Sequence, residues 1–190
     1  MPKVIEGLEE KLIKTAEELF MEEGYDAVNI RRIAKASGVA VGTVYNYFSS
    51  KDELYLEVLK DSWDKTMEVL SQILLETSDL DDKLMKFIKT MYIEVENRKG
   101  LGGRMILEER KKKSDSGTNT EEELNRYMDR VEDMFLELLK HHEGIKNTIG
   151  DPERLATVII GSQWMLHRGH NGESEKNLKF IENYMKCLLG

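Results

Sequence analysis

The chain has 190 residues and a formal net charge of −8, from 28 basic and 36 acidic side chains. This acidic balance argues against a histone-like coat on nucleic acid, although it is compatible with a local basic patch. A hydrophobic fraction of 40% and a charged fraction of 34% predict a folded chain rather than a disordered one. No apolar run is long enough to span a bilayer, the N-terminus lacks a signal-peptide pattern, and Cys187 is the single cysteine. We therefore expect a soluble, cytoplasmic protein that does not bind membranes.

Helix-forming residues dominate the sequence, which has only 2 prolines and almost no segment with the alternating pattern of a strand. The pattern predicts an all-α fold of about nine helices. Capping residues and glycines indicate where the helices start and stop. The predicted helices cover about 6–23, 30–37, 40–48, a stretch from Ser50, a stretch after 78–81, 103–111, a stretch from Thr120, 152–169 and a stretch from Ser174. The polar run 111–120 is predicted to be a loop, and glycine-rich 100–104 a turn.

The segment from Val28 to Lys51 differs in charge from the rest of the chain. It contains four basic residues and no acidic residue, within a chain whose net charge is −8. Contact with nucleic-acid phosphates requires such local positive charge. The segment is therefore the first candidate for a functional surface.

The same segment has the spacing of a helix-turn-helix. Asn29 can cap the first short helix, and Ala34 is small where a second helix must cross closely. Gly38 can adopt the left-handed conformation in the turn between them. A helix–glycine–helix turn also occurs in many all-α proteins, so Gly38 alone is weak evidence. The combination with the positive charge is much more specific for DNA binding.

The second short helix is predicted to present a polar and aromatic face without acids. If Val44 faces inward, the helical repeat turns Gly42 and Asn46 outward. Such a face suits a helix that lies in the major groove of DNA. The residues flanking that outward face are Thr43, Tyr45 and Tyr47.

Over about residues 8–60 the sequence resembles the TetR family of transcription regulators. The motifs that carry the resemblance are Glu22-Glu23-Gly24-Tyr25, Ile33-Ala34, Gly38-Val39, Gly42-Thr43-Val44-Tyr45-Asn46-Tyr47-Phe48 and Lys51-Asp52-Glu53-Leu54. The resemblance implies an all-α homodimer with an N-terminal DNA-binding domain and a C-terminal domain for dimerisation and a small effector. The implied domains are 1–48 and 49–190, and the implied function is a repressor released from its double-stranded DNA operator by the effector.

Carried over position by position, the resemblance implies DNA contacts from two helices and the start of a third. The implied contact residues are Arg31, Val41, Gly42, Thr43, Tyr45, Asn46, Tyr47 and Lys51. Two residues depart from the family pattern. Ala40 replaces the usual Ser or Thr cap, and Asn46 stands where an aromatic residue is common. Because Asn can bond the edge of adenine in a bidentate manner, the operator sequence does not transfer from relatives.

The sequence offers little support for a metal, a cofactor or an enzyme. His167 and His170 have a ligand-like spacing, but two ligands fall short of the three or four that zinc needs. The common hydrolase, metalloprotease and phosphate-loop motifs are absent. We therefore expect no metal site, no cofactor and no catalytic residues.

The C-terminal part is predicted to bind a small, mostly hydrophobic effector. Tyr92, Trp164 and His167 are the candidate ligand-binding residues, because each has a polar tip on a helix that would enclose the pocket. Core packing is the alternative explanation for each of them. Homodimerisation is predicted through the last two helices, whose apolar stripes exceed what one subunit covers. Those stripes are Leu155, Ile159 and Leu166, and Leu178, Ile181, Met185 and Leu188.

A second hypothesis keeps the same scaffold without a small effector. The chain would then be an architectural or protein-partner-controlled DNA-binding factor. A C-terminal core packed without any cavity would favour it.

Overall fold

The computed structural model describes residues 6–98, 119–145 and 151–189. These residues form eight helices and a helical turn at 143–145, with no strand among them, which confirms the all-α prediction. The helices are α1 (Leu8–Glu23), α2 (Ile30–Ser37), α3 (Val41–Tyr45), α4 (Lys51–Leu75), α5 (Leu80–Asn97), α6 (Asn119–Lys140), α7 (Pro152–Gly169) and α8 (Ser174–Leu189). The predicted helical piece 103–111, the glycine-rich turn 100–104 and nearly all of the polar loop lie outside the described residues. No helix in the described part is long and apolar enough to cross a membrane.

Side-chain caps fix the starts of three helices: α2 and α7 start where the sequence predicted, and α5 starts at Leu80, within the segment 78–81 that was predicted to precede it. Asn29, Asp79 and Asp151 each accept a hydrogen bond from the backbone amide three residues on, at 3.0, 3.0 and 3.1 Å. These bonds satisfy amides that the first helical turn leaves without a partner. Helix α3 has no side-chain cap at Ala40, as its residue type predicted.

The sequence Ser50-Lys51-Asp52-Glu53 predicts a capping box at the start of α4, and the structure has this box with one change of partner. The Ser50 hydroxyl accepts from the Glu53 amide at 3.0 Å, as predicted. The Glu53 carboxylate accepts from the amide and hydroxyl of Ser49 rather than from the Ser50 amide. These two hydrogen bonds to the charged form lower the pKa of Glu53.

The described residues pack as two compact units. The first holds residues 6–63 and the second holds 64–98, 119–145 and 151–189. Apolar side chains that are fully excluded from solvent form each interior. In the first unit they include Leu12, Ala16, Ile33, Val44, Leu54 and Val58. In the second they include Leu70, Leu84, Phe87, Ile88, Val131, Phe135, Leu139, Ile159 and Met185.

The apolar stripes predicted for the last two helices are partly buried within the single chain, whereas Leu166, Leu178 and Leu188 are half-buried. Ile159, Ile181 and Met185 are at most 1% exposed within the single chain, so they belong to its own core. The exposed apolar residues on these helices are instead Val158, Met165 and Phe180. Helix α7 also buries Gln163 and His167, which an apolar pattern omits because both are polar.

Candidate functional site

The turn between α2 and α3 has the geometry that the sequence predicted. Gly38 adopts φ 73° and ψ 29°, the left-handed conformation that glycine accepts without steric cost. The Val39 amide donates to the Ala34 carbonyl at 3.0 Å, and the Gly38 amide donates to the Lys35 carbonyl at 3.2 Å. Ala34 is 1% exposed beneath the crossing. The turn is therefore fixed by backbone hydrogen bonds over a small buried side chain.

Helix α3 presents the predicted outward face. Gly42, Tyr45 and Asn46 are exposed at or just after this helix, whereas Val44 and Phe48 are buried. The other three candidate contact residues, Val41, Thr43 and Tyr47, are half-buried. The sequence from 41 to 47 contains no acid, so the face carries no charge that would repel phosphate.

The basic residues of α2 differ in how available they are. Arg31 and Lys35 are exposed, and neither has an ion-pair partner among the described residues. The guanidinium of Arg32 instead bonds the Glu23 carboxylate at the end of α1, at 2.8 Å. One of the four positive charges counted in the sequence is therefore paired within the unit.

Lys51 is held by the chain itself. Its ammonium donates to the carbonyls of Tyr25 and Val28 at 2.9 and 3.1 Å and lies 3.8 Å from the Tyr25 ring centre. An ammonium has three N–H donors, so one is left for a phosphate. Sequence reasoning assigned Lys51 to phosphate and missed that it joins the α1–α2 connection to the start of α4.

Tyr25 is the centre of this connection. Its ring packs against Phe20 and Tyr55, with ring centres 5.8 and 4.8 Å away. Its hydroxyl donates to the Asp52 carboxylate. Burial, followed by that hydrogen bond and the charge of Asp52, raises the pKa of Tyr25 well above its usual range. Tyr25 therefore stays neutral and ties the first turn of α4 to the segment that precedes α2.

The candidate effector residues all belong to the second unit. Tyr92 on α5 is 0% exposed and His167 on α7 is 7% exposed, while Trp164 is half-buried. The rings of Trp164 and His167 lie 6.0 Å apart. Tyr92 accepts a hydrogen bond from the Asn177 side chain at 2.7 Å, and Asn177 also donates to the His170 carbonyl at 3.0 Å. Tyr92 is thus linked through Asn177 to the C-terminal end of α7.

Gln163 and Asn177 are among the buried polar residues of this unit that sequence reasoning missed. Gln163 is 1% exposed and Asn177 is 4% exposed. Gln163 lies four residues after Ile159 and four before His167, so its place on the buried face could have been found from helical spacing. Asn177 lies four residues before Ile181 and eight before Met185, so the same spacing places it on the buried face of α8.

No group of three or more His, Cys, Asp or Glu side chains that could hold a metal occurs in the described ranges. His170 is exposed and His167 is buried, so the two histidines with ligand-like spacing occupy different environments.

The geometry of α2, α3 and their turn defines the class of the first unit as a helix-turn-helix DNA-binding domain. Residues 12–58 match the family described as bacterial regulatory proteins, tetR family. This segment is therefore a tetR-family domain, and the curated relatives that the chain matches are transcription regulators.

Curated relatives resemble only part of the chain. The transcriptional activator FasR of Mycolicibacterium smegmatis is 34% identical over 98 residues, which are 52% of this chain and 44% of FasR. The fatty acid metabolism regulator protein of Bacillus subtilis is 31% identical over 74 residues, or 39% of this chain and 38% of that protein. The chain thus matches half or less of the length of these relatives.

Solved structures resemble the whole chain in fold. The fatty acid degradation regulator FadR from Bacillus halodurans has a TM-score of 0.74 and 22% identity, covering 99% of this chain and 97% of its own. FadR from Bacillus subtilis, solved with stearoyl-CoA, has a TM-score of 0.70 and 20% identity, covering 95% and 97%. At such identities the likeness establishes the fold.

Proposed function

We propose that this chain is a cytoplasmic, DNA-binding transcriptional repressor that a small hydrophobic effector releases from a near-palindromic operator. The observation that carries the proposal is the acid-free outward face of α3, set by the Gly38 turn inside a tetR-family domain. Residues 1–48 would contact DNA, and residues 49–190 would bind the effector and a second copy of the chain. The sign of regulation depends on where the operator lies relative to the promoter.

Two kinds of DNA contact are proposed. Asn46, at the end of α3, would contact a base edge, together with Val41, Gly42, Thr43 and Tyr45 along the same face. Arg31 would contact phosphate, because it is exposed and has no ion pair among the described residues. Tyr47 and the remaining N–H of Lys51 would add further phosphate contacts.

Selection from random DNA tests the first part of the proposal. We expect a near-palindromic site, because a two-fold dimer presents two equal heads. Asn46→Ala should relax preference at one base pair in each half-site. Arg31→Gln should weaken all sequences alike and lower the salt slope by about one. Lys140→Gln, which changes an exposed charge on α6, is the matched control. Recovery of no preferred sequence contradicts the proposal.

The homodimer is proposed to form through α7 and α8. Val158, Met165 and Phe180 are 61%, 74% and 59% exposed, an unusual exposure for large apolar side chains. Phe180 and Tyr184 have nearly parallel rings 6.3 Å apart, and they border an open groove of about 400 Å³ between the two helices. A second copy could cover this face as a four-helix bundle around a two-fold axis.

Sedimentation at micromolar concentration tests the dimer. We expect Met165→Glu and Phe180→Glu to give monomers that no longer bind the operator, because each places an unpaired charge in the interface. Val69→Glu alters an apolar residue of α4 that is 42% exposed and should leave the dimer intact. A parent protein that sediments as a monomer overturns this part of the proposal.

Effector release is proposed to follow from linkage between two conformations of the dimer. Only one spacing of the two DNA-binding units fits successive major grooves, and an effector that prefers another spacing lowers operator affinity. A hydrophobic effector is supported by the apolar core around Tyr92, Trp164 and His167 and by the relative solved with stearoyl-CoA.

A library of apolar compounds tests the effector in three measurements. Binding should change tryptophan fluorescence, raise the melting temperature and release DNA. Trp164→Phe should remove most of the fluorescence change while leaving operator binding intact. Absence of any thermal shift together with intact DNA binding contradicts effector control and favours a partner-controlled factor.

A further inference from the structure

Two buried polar atoms in the core of the second unit have no hydrogen-bond partner. They are Oε1 of Gln163 and Nδ1 of His167, whose residues are 1% and 7% exposed. The two residues are four apart on α7, so their side chains lie on the same face, one turn from each other. This face packs within the second unit, where α7 contacts α5 and α6.

The orientation of the Gln163 amide is fixed by its other end. Its Nε2 donates to the Ile159 carbonyl at 3.0 Å and lies 3.3 Å from the Ser162 hydroxyl. Exchanging the amide oxygen and nitrogen of Gln163 would lose both hydrogen bonds that Nε2 donates. Oε1 is therefore an acceptor directed away from the backbone of α7, and it requires a donor from elsewhere.

Tyr92 adds a third polar group with unused capacity. It is fully buried on α5, and its hydroxyl accepts from Asn177. Among the described residues the Tyr92 hydroxyl has no acceptor for its own proton. Buried polar groups in native proteins nearly always have partners, so three such groups on two contacting helices indicate a place for a polar ligand group.

The available partners restrict the charge of that ligand group. An ionised carboxylate has no hydrogen to donate to Gln163 Oε1, so it would leave this buried acceptor without a partner. The guanidinium of Arg98, which is also buried in this unit, bonds the Thr66 hydroxyl and lies 3.6 Å from the Glu94 carboxylate. A hydroxyl or primary amide, by contrast, can donate to Gln163 and also accept from Tyr92 or His167.

We propose that Gln163 and His167 form the polar subsite of the effector pocket, specific for a neutral hydrogen-bond donor at the end of an apolar body. This inference rests on the proposed effector-controlled function and adds the chemical class of the effector. Gln163 accepts the donor of the ligand. His167 completes the pairing through whichever tautomer the ligand requires.

A matched pair of probes tests the subsite directly. Decan-1-ol and decyl methyl ether have the same alkyl chain, and only the alcohol can donate a hydrogen bond. Binding is measured by fluorescence in the full chain carrying Trp63→Phe, so that Trp164, with its ring 6.0 Å from that of His167, is the only reporter. We expect the alcohol to bind about tenfold more tightly than the ether.

Variants then assign the preference to residues. Gln163→Leu should reduce the ratio of the two affinities to near one while leaving ether binding unchanged. His167→Phe should reduce the ratio in the same direction. Thr157→Val, which removes an exposed hydroxyl from the same helix, should keep the full ratio. Thermal unfolding of each variant verifies that it is folded.

The outcomes separate the subsite from the proposed function. Equal affinity of alcohol and ether in the parent overturns the subsite, even if both release DNA. A tenfold preference for the alcohol that Gln163→Leu abolishes supports the subsite, whether or not the probes release DNA. If neither probe releases DNA, effector control fails while the subsite stands. Absence of binding by alcohols from eight to fourteen carbons overturns the inference. If a variant does not fold, the ratio of the affinities of the parent protein for the alcohol and the ether still tests the subsite.

Discussion

The two units of the described chain differ in what they bury. The first unit buries the hydroxyls of Ser37 and Ser62, together with Tyr55 and Trp63, whose polar atoms lie on otherwise apolar rings. The second buries hydroxyl, guanidinium, amide and imidazole groups, which belong to Thr66, Arg98, Gln163, His167 and Asn177. The first unit therefore has its distinctive chemistry on the surface of α2 and α3, whereas the second has it inside the core. This contrast fits a surface that binds a charged polymer and an interior that binds a small molecule.

The buried polar groups of the second unit divide further into paired and unpaired ones. Arg98 and Thr66 bond one another, and the Thr66 hydroxyl lies 2.9 Å from the Glu94 carboxylate. Gln163 Oε1 and His167 Nδ1 have no such partners. A fully paired buried cluster supports the fold, whereas unpaired atoms destabilise it unless something binds them.

The largest expected effect is on the apolar packing of the second unit. Phe135 is 0% exposed, and its ring lies 5.3 Å from that of Phe87. Phe135→Ala should lower the free energy of unfolding by about 3–5 kcal/mol, because it leaves a cavity as well as losing burial. Urea unfolding measures the change. Leu75→Ala, at a position 82% exposed, is the control. A loss below about 1 kcal/mol at Phe135 shows that the interior is loosely packed.

The next prediction separates a structural role of Lys51 from a DNA-binding role of Arg31 in the first unit. Lys51→Met should lower the free energy of unfolding by about 2 kcal/mol, because the hydrogen bonds from the ammonium to the Tyr25 and Val28 carbonyls are lost. Arg31→Met should leave stability unchanged and lower the salt slope of operator binding by about one. Thermal unfolding and binding titrations at several salt concentrations separate the two residues. If both changes affect only DNA binding, Lys51 is a phosphate ligand without a structural role.

The first unit was largely predictable from the sequence because its determinants are local. Asn29, Ala34 and Gly38 each act within a few residues, through a cap, a close crossing and a left-handed turn. Their types therefore indicate the structure directly. What the sequence did not predict there is long-range pairing, such as Lys51 with carbonyls more than twenty residues earlier.

The second unit was predictable in its helices but not in its interior. The start of α7 followed from Asp151 and Pro152, and its end from Gly169. The buried face of α7 was predicted only in part: Leu155 and Ile159 are buried, but the polar residues Gln163 and His167 occupy core positions as well. An apolar pattern indicates where a core lies only when the core is apolar, and a core that contains buried polar side chains departs from that rule.

Helix caps should have similar effects in both units, because they act locally. Asn29→Ala and Asp151→Ala should each lower the free energy of unfolding by about 1 kcal/mol, as each leaves a backbone amide without its side-chain acceptor. Urea unfolding of the two single variants tests this. Asn29→Asp, which retains an acceptor, should keep the parent stability. A large loss at one cap and none at the other would show that the surroundings, rather than the cap, determine the effect.

The smallest expected effect concerns a surface carboxylate of the second unit. Glu182 on α8 bonds Lys186 at 2.7 Å and lies 3.5 and 3.7 Å from Lys179 and Lys89. The hydrogen bond from Lys186 and the charges of the three lysines lower the pKa of Glu182 from 4.5 to about 2. A carboxyl with a lowered pKa in the folded state stabilises the fold above its unfolded pKa. That contribution is lost as the pH falls from 4.5 towards 2.

Glu182→Gln should therefore flatten the pH dependence of the free energy of unfolding in this range. Added salt should reduce the difference between this variant and the parent, because the carboxylate is accessible to solvent. Glu175→Gln, at an exposed residue of the same helix, should retain the parent profile. Identical profiles for the parent and Glu182→Gln at low salt would mean that these lysines do not stabilise the fold through Glu182.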